Sequence, residues 1–278
     1  MQYPIEYKLA EDKSKKNQIF FILIVVSMIA LQIITTFISQ YWGESKYGCY
    51  ILCFLNFCSI IFLCLYVFGN NYKIWISSRA FAEAIKSLSW KFAMKVSPFN
   101  VSDLDDEKLL KAKIEEIIEE QKDYKKSIND ALNSNDKYIP DEMWNYRKKN
   151  FSDRFLEYNQ KRVNDQRQWY KESADKNKKR DIILKIIFVV LIITMFIFTL
   201  IHNSKLPLST VVSIIFNLLL WMQIKKYREI NQLYAYTTHN LLKEYKEKIS
   251  NDDELAEYVQ CMENEFTKEH SQWLRYKN

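Results

Sequence analysis

The sequence predicts an all-α integral membrane protein with four transmembrane helices arranged as two hairpins, whose long helices extend into a cytoplasmic helical domain. Two observations carry this prediction. Four runs contain no charged residue, at 17–43, 47–72, 186–204 and 206–224. In addition, the 278 residues include only 3 Gly and 4 Pro, too few for the turns of sandwiches, propellers and loop-rich enzymes.

Each uncharged run is long enough to cross a bilayer, because a spanning helix needs about 20 apolar residues. We expect helices at about 18–40, 49–69, 183–202 and 207–224. The fourth is less apolar than the others because it carries Ser, Thr and Asn side chains. The first run exceeds a signal-peptide core and no small-residue cleavage site follows it, so we expect it to be retained.

The distribution of Lys and Arg predicts the topology. Of the 40 basic residues, the connection 41–48 holds only Lys46 and the connection 203–206 holds only Lys205. The positive-inside rule therefore places these two short connections outside and both termini in the cytoplasm.

Five parts of the chain follow from these spans. They are a cytoplasmic N-terminal tail at 1–17, the first hairpin at 18–69, a cytoplasmic helical region at 70–182, the second hairpin at 183–224 and C-terminal cytoplasmic helices at 225–278.

Helices are also predicted outside the spans. The second span should continue as a helix beyond Gly69, since no helix breaker follows it closely. Ser102 or Asp103 should cap a further helix that ends near Lys126, before a polar loop at 133–140.

Two more long helices are expected toward the C-terminus. A single helix at about 152–203 would be roughly 75 Å long, and so long and polar a helix needs partners from this chain or from other subunits. The fourth span should continue to Lys248, and a break and cap at 251–253 should precede the last helix.

Charged and aromatic side chains recur along these helices at helical spacing. Arg79 and Glu83, for example, form an i,i+4 pair. Such residues fit a salt bridge at a packing edge, and the functional alternative is an interface that transmits a signal to the membrane helices. The candidate interface and gating residues are Trp75, Arg79, Glu83, Lys86, Trp90, Arg162, Gln166, Trp169, Tyr170, Glu263, Glu269, His270 and Trp273.

A pore would need uncharged or charged polar residues at helical spacing within the bilayer. The candidates for pore lining are Gln32, Asn56, Ser59, Thr210, Ser213 and Asn217. The alternative role of these residues is hydrogen bonding between helices. One chain with four helices encloses too little space, so a pore requires a ring of subunits.

Catalysis and metal binding have no support in the sequence. Four of the 5 Cys lie inside the second span, and no pair of Cys has a zinc-site spacing. The 3 His are far apart. We therefore expect neither enzymatic activity nor a cofactor. Basic clusters beside the spans favour binding to anionic lipid head groups rather than to nucleic acid.

Three stretches resemble a known family. Residues 75–90 (WISSRAFAEAIKSLSW), directly after a predicted hairpin, resemble the signature of SLATT domains, the SMODS- and SLOG-associating two-transmembrane effector domains. Residues 158–170 (YNQKRVNDQRQWY), before a basic run and another hairpin, are similar to the second signature of two-hairpin members. The ending at 263–273 (ENEFTKEHSQW) resembles their C-terminal helix.

The resemblance implies a bacterial membrane protein of biological-conflict systems. These domains are predicted to form pores in response to nucleotide second messengers or partner sensors, and to cause cell suicide or dormancy during phage infection. We therefore expect a homo-oligomeric, multi-pass effector of the bacterial inner membrane that forms a pore or channel gated from the cytoplasm. Its expected partner is a nucleotide-second-messenger sensor or another defence protein. The alternative is a non-conducting, membrane-anchored scaffold that recruits a cytoplasmic partner.

Overall fold

The computed structural model describes residues 1–119, 139–201 and 208–277. Within these ranges the chain forms ten α-helices and one π-helical segment, and it contains no strand. The all-α class predicted from the sequence is confirmed.

The helices are distributed along the whole described chain. In order they are α1 (Ile5–Trp42), α2 (Lys46–Phe68), α3 (Asn71–Ala93), α4 (Asp103–Glu119), α5 (Asp141–Arg147), α6 (Phe151–Tyr158), the π-helical segment Asn159–Asn164, α7 (Asp165–Ile201), α8 (Leu208–Lys225), α9 (Tyr227–Lys243) and α10 (Asp252–Lys277). The predicted helix end near Lys126, most of the predicted loop at 133–140 and the connection 203–206 lie outside the described residues.

The helices group into two units that interleave along the chain. The polar unit comprises Met1–Lys15, Ile74–Ala174 and Gln232–Asn278, and the apolar unit comprises Lys16–Lys73 and Asp175–Asn231. The chain changes unit four times, each time inside a helix, namely α1, α3, α7 and α9. Each unit is therefore built from segments far apart in sequence.

Four helical stretches are long and apolar enough to cross a membrane, which confirms the four predicted spans. They lie within Ile5–Trp42, Lys46–Ala93, Phe151–Leu200 and Leu208–Lys243, with mean hydropathy values of 2.6, 2.6, 2.9 and 1.5. The fourth is the least apolar, as its Ser, Thr and Asn content predicts. The arrangement of the four spans as two hairpins stays a prediction.

The apolar unit turns its large apolar side chains outward. The apolar windows of the second and third stretches contain no buried residue. Phe54 and Phe196, for example, are 66% and 61% exposed. An apolar surface of this extent is unfavourable on a folded protein in water, whereas lipid covers it.

The helix boundaries differ from the predicted ones in several places. α1 begins at Ile5, so most of the predicted N-terminal tail is helical. The helical run after the second span continues, as predicted, but Gly69 interrupts it with an extended backbone (φ −75°, ψ 137°). Lys226, whose φ of 50° lies in the left-handed region, separates α8 from α9. α9 ends at Lys243, whereas the sequence predicted that this helix continues to Lys248.

Two predicted caps are present. Ser102 Oγ accepts a hydrogen bond from the backbone N–H of Asp105 at 3.2 Å, at the start of α4. Asn251 Oδ1 accepts one from the N–H of Glu254 at 2.8 Å, at the start of α10. Each cap satisfies a donor that the first turn of a helix leaves unpaired.

The core of the polar unit forms between α3 and α4. Phe81, Ile85 and Phe92 of α3 are buried, and their spacing of four and seven residues places them on one face of the helix. Leu110 and Ile114 of α4, four residues apart, are fully buried with them. This packing fixes α3, on which five of the candidate interface residues lie, namely Trp75, Arg79, Glu83, Lys86 and Trp90.

Arg147 joins α5 to α4 and to the end of α3. Its side chain is 2% exposed, and it bonds Asp103 at 2.7 Å and Asp106 at 2.5 Å. Its Nη1 donates to the carbonyl oxygens of Phe92 at 2.7 Å and Phe99 at 3.1 Å. A buried guanidinium is stable here because carboxylates and carbonyls replace its hydration shell.

We expect Arg147→Met to lower the free energy of unfolding by about 3–5 kcal/mol, because it leaves the Asp106 carboxylate buried without its partner. Denaturant unfolding of the full chain in detergent measures the change. The control is Lys111→Ala on α4, which removes a partly exposed pair with Glu107 at 3.1 Å and should change stability by no more than about 0.5 kcal/mol. Equal losses in the two variants would contradict the structural role of Arg147.

Candidate functional site

The N-terminal part of α1 covers the face of α3 that carries the candidate interface residues. Trp75 and Trp90 are 6% and 0% exposed. Trp90 Nε1 donates to Tyr3 Oη at 3.0 Å, and Ser14 Oγ donates to the carbonyl oxygen of Trp75 at 3.3 Å. The two tryptophans are therefore buried within the chain itself.

The π-helical segment carries Arg162, which forms the most deeply buried ion pair of the polar unit. Arg162 Nε and Nη2 donate to the two carboxylate oxygens of Glu263, both at 2.9 Å. Tyr158 Oη donates to the same carboxylate at 2.9 Å. The side chains of the pair are 2% and 0% exposed. The forked geometry and the extra hydrogen bond offset the loss of hydration that burial imposes on both charges.

One nitrogen of Arg162 stays without a hydrogen-bond acceptor. Nη1 is buried, and no described group accepts from it. The guanidinium lies 4.3 Å from the centroid of the Phe266 ring, which covers its face but not this edge. A buried donor left unpaired costs about 1–3 kcal/mol. Arg162 is therefore held by Glu263 while one of its donors is uncommitted.

A second buried acid, Glu269, lies one α10 turn and a half beyond Glu263. It is 5% exposed, and Tyr170 Oη donates to its Oε2 at 2.9 Å. Its Oε1 is buried without a partner in the described chain. Burial raises the pKa of Glu269 to about 7, against the opposing effect of the Arg79 charge and the Tyr170 hydrogen bond.

Arg79 lies over the ring of Trp273, 4.2 Å from its centroid. Among the described residues it forms no ion pair with Glu83, its i,i+4 neighbour. The charges of Glu83 and Glu269 nevertheless favour the Arg79 cation. The predicted intrahelical salt bridge is thus replaced by a cation–π contact between α3 and α10.

His270 stacks on the same tryptophan. The centroids of His270 and Trp273 are 6.1 Å apart, with the ring planes inclined by 17°. Burial and the neighbouring Arg79 charge lower the pKa of His270 to about 4, so the imidazole is neutral at physiological pH. Both ring nitrogens are buried without a hydrogen-bond partner among the described residues.

α1, α3, α7 and α9 each run from one unit into the other, and contacts of this network connect their ends within the polar unit. Ser14 of α1 bonds Trp75 of α3, and the Trp75 ring contacts Trp273 of α10 at 6.0 Å. Tyr170 of α7 contacts Tyr234 of α9, with ring centroids 5.4 Å apart. We call this set, together with Arg79 and Glu269, the collar.

A half-enclosed cavity of about 370 Å³ lies beside the buried charges. Its walls come from α3, α4, the π-helical segment and α10. Among the lining side chains are Glu83, Ser87, Lys113, Arg162, Phe266 and His270. We call it the Arg162 cavity. It brings together the uncommitted Arg162 donor and the unpartnered His270 imidazole.

The structure brings most of the candidate interface residues together, although their role in gating stays a prediction. The residues in or beside the network are Trp75, Arg79, Glu83, Lys86, Trp90, Arg162, Tyr170, Glu263, Glu269, His270 and Trp273. Trp169 is instead 43% exposed and packs against Tyr170 and Tyr234, both at 5.2 Å. Gln166 is half-buried and has no hydrogen bond within the described residues.

Sequence reasoning missed the contribution of the N-terminal residues. Glu6 and Ala10 are 0% exposed, and Tyr3 bonds Trp90. The signal that could have found them is the spacing of Tyr3, Tyr7, Ala10 and Ser14, which alternates steps of four and three and places all four on one helix face.

The candidate pore-lining residues fall into two groups in the apolar unit. Thr210, Ser213 and Asn217 of α8 are 7%, 6% and 5% exposed. Asn217 Nδ2 donates to the carbonyl oxygen of Ser213 at 2.8 Å, within the same helix. Gln32 and Asn56, by contrast, are exposed.

Ser59, the remaining candidate, is half-buried and donates to the carbonyl oxygen of Leu55 at 2.9 Å. Nothing in the described chain gathers three or more His, Cys, Asp or Glu side chains in a geometry that holds a metal ion.

The exposed apolar surface of one unit and the buried charge network of the other define an all-α membrane protein. Comparison with known families then identifies it further. The family model for SMODS and SLOG-associating 2TM effector domain 3 matches residues 4–155, and that for SMODS and SLOG-associating 2TM effector domain 1 matches residues 158–273. The chain therefore belongs to the SLATT family of membrane effector domains, as the three sequence stretches predict. No curated protein and no solved structure gives a match.

Glu269 and His270 give the stability of the chain two opposing dependences on pH. The folded chain retains a proton on Glu269 up to about pH 7 that the unfolded chain releases near 4.5, so this contribution is lost as pH rises through 7. The folded chain keeps His270 neutral down to about pH 4, whereas the unfolded chain protonates it below 6.5. The His270 contribution is therefore lost as pH falls from 6.5 through 4.

We expect Glu269→Gln to remove the Glu269 contribution and to leave that of His270. Relative to the wild type, the free energy of unfolding of this variant should then rise between pH 4.5 and 6.5 by up to about 1.4 kcal/mol per pH unit. His270→Gln should leave the Glu269 contribution alone, so that the free energy of unfolding of this variant falls as pH rises from 4.5 to 7. Unfolding in detergent at half-unit steps of pH measures both, and each variant is the control for the other. Parallel curves for the wild type and both variants would show that neither group is held in the described environment.

Proposed function

We propose that copies of this chain assemble into a pore or channel in the bacterial inner membrane, gated from the cytoplasmic side, as an effector of an anti-phage conflict system. The observation that supports this most directly is the exposure of two uncharged amide side chains within the first two apolar stretches, Gln32 of α1 and Asn56 of α2.

Exposure to lipid is unfavourable for such groups, because hydrocarbon offers an amide no hydrogen-bond partner. A second copy or a water-filled lumen supplies those partners. Ser213 and Asn217 need this cover less, since they are buried within their own chain and Asn217 Nδ2 donates to the carbonyl oxygen of Ser213. Gln32 and Asn56 are therefore the residues that we assign to the subunit contact or the pore wall.

Aromatic side chains beside cations support the orientation with the polar unit in the cytoplasm. Lys225 Nζ lies 4.7 Å from the centroid of the Trp221 ring, and the Arg180 guanidinium lies 5.9 Å from that of Tyr227. Aromatic rings with neighbouring Lys and Arg are typical of the cytoplasmic membrane interface, where the cations meet anionic head groups.

The collar supports control from the cytoplasmic side. It connects α1, α3, α7 and α9, and each of these helices passes without a chain break into a segment of the apolar unit. A change in the collar contacts therefore acts on all four entering segments at once. The trigger in this proposal is a partner defence protein, such as a sensor of nucleotide second messengers.

The test is the membrane potential of bacteria that express the chain at graded levels, together with ion flux from liposomes that contain the purified protein. We expect the wild type to depolarise the cells, and the double variant Gln32→Leu/Asn56→Leu to reduce the effect about tenfold at equal membrane abundance, because the polar wall is lost. Crosslinking in the same membranes reports whether copies associate.

The matched control is Ile34→Leu/Ile60→Leu, which changes exposed residues of the same two helices and should leave depolarisation unchanged. Asn217→Leu should lower protein abundance rather than flux, since Asn217 is buried. Full depolarisation by the Gln32/Asn56 variant would reject that pore wall. A monomeric chain without flux would favour the non-conducting scaffold.

A further inference from the structure

The Arg162 cavity has the size and enclosure of a small-molecule site. Its volume of about 370 Å³ falls in the range of roughly 300–1,000 Å³ that such sites occupy. Leu88, Ile117 and Phe266 give it apolar walls from three different helices. It is open on one side, so a ligand enters without unfolding of the polar unit.

Two residues that line the cavity carry buried polar atoms without a hydrogen-bond partner in the described chain. These atoms are Nη1 of Arg162 and the two ring nitrogens of His270. Arg162 is the clearer case, because its side chain is only 2% exposed and its other two nitrogens are already bound to Glu263. Buried polar groups in native proteins are almost always paired, so unpartnered ones on residues that line a cavity favour a ligand site there.

The charges around the cavity identify the kind of ligand. Two acids, Glu83 and Glu116, line it together with Lys113 and with Arg162, whose charge Glu263 already balances. The bases would attract a simple anion and the acids would repel it. A simple cation would be attracted by the acids and repelled by the bases. A ligand that carries one charge of each sign can satisfy both sets at once.

We propose that the Arg162 cavity binds a small zwitterion with an apolar side chain, of the class of the free apolar α-amino acids. Its carboxylate accepts from Arg162 Nη1 and from Lys113. Its ammonium group donates to Glu83, and its side chain packs against Leu88, Ile117 and Phe266. His270, neutral at physiological pH, offers one ring nitrogen as donor and the other as acceptor.

The local backbone independently favours a ligand site. Arg162 lies in the π-helical segment Asn159–Asn164, where an extra residue per turn widens the helix. Such segments are rare and occur frequently at functional sites. Here the segment is fixed by Tyr258 Oη, which donates to Asn159 Oδ1 at 2.6 Å.

The experiment measures binding of three matched probes to the purified full chain in detergent by titration calorimetry and ligand-observed NMR. L-Phenylalanine has both charges, 3-phenylpropanoate lacks the ammonium group and 2-phenylethylamine lacks the carboxylate. We expect L-phenylalanine to bind and each single-charge probe to bind about tenfold more weakly. L-Leucine is a second zwitterion that tests whether the aromatic ring is required.

Two variants locate the site. Ala84→Phe places a ring in the cavity that Ala84 lines and should abolish binding. Ala235→Phe, at an exposed position of α9, should leave binding unchanged. Glu83→Gln keeps the shape of the side chain and should weaken L-phenylalanine about tenfold while leaving 3-phenylpropanoate unaffected. Far-ultraviolet circular dichroism confirms that each variant is folded.

Each contrary result overturns the proposal. Absence of binding by both amino acids excludes the ligand class. Equal affinity for L-phenylalanine and either single-charge probe excludes zwitterion recognition, and binding retained in Ala84→Phe excludes the cavity. These outcomes concern binding to the isolated chain, so they are independent of whether the chain conducts ions.

Discussion

The buried pair of Arg162 and Glu263 is the interaction on which the rest of the polar unit depends. Two opposite charges at 2% and 0% exposure have lost their hydration, and they are stable only because they face each other in a forked geometry. The pair holds the π-helical segment against α10. It thereby fixes Phe266 beneath the guanidinium and leaves Nη1 directed away from Glu263. The Arg162 cavity exists because α10 is held in this position.

A different constraint governs the apolar unit, where the usual distribution of side chains is reversed. Bulky apolar residues of α2 and α7 are exposed, and three polar residues of α8 are among the most buried. This reversal is stable only when lipid is the surrounding medium, because lipid solvates Phe and Ile but gives no hydrogen bond to Thr or Asn. The same constraint makes the exposure of Gln32 and Asn56 informative, since they depart from it.

The helices were predictable from the sequence because long uncharged runs and helical spacing are local properties, and the family was predictable because three stretches resemble its signatures. The residues of the buried network were also visible, as Trp75, Arg79 and Trp273 show, but their partners were not. Spacing within α3 pairs Arg79 with Glu83, whereas the structure places Arg79 over Trp273, almost two hundred residues away. Local spacing cannot indicate which distant helix will cover a face. The burial of Tyr3 escaped prediction because residues 1–17 appeared to be a polar tail.

The two SLATT matches divide the chain in the middle, but the polar unit does not follow that division. Its core uses α3 and α4 from the first match and α10 from the second. The contact between Arg79 and Trp273 joins the two. The second domain therefore contributes to the same folded unit as the first, rather than forming a copy beside it.

The interleaving of the units also determines the order in which the protein is completed during synthesis. Arg162 leaves the ribosome 101 residues before Glu263, and α7 and α8 are made in the interval. An unpaired guanidinium is far too costly to bury, so Arg162 must remain hydrated until α10 emerges. The polar unit consequently closes last, after every membrane-spanning segment has been synthesised, and a chain truncated before α10 retains its apolar helices without a completed polar unit.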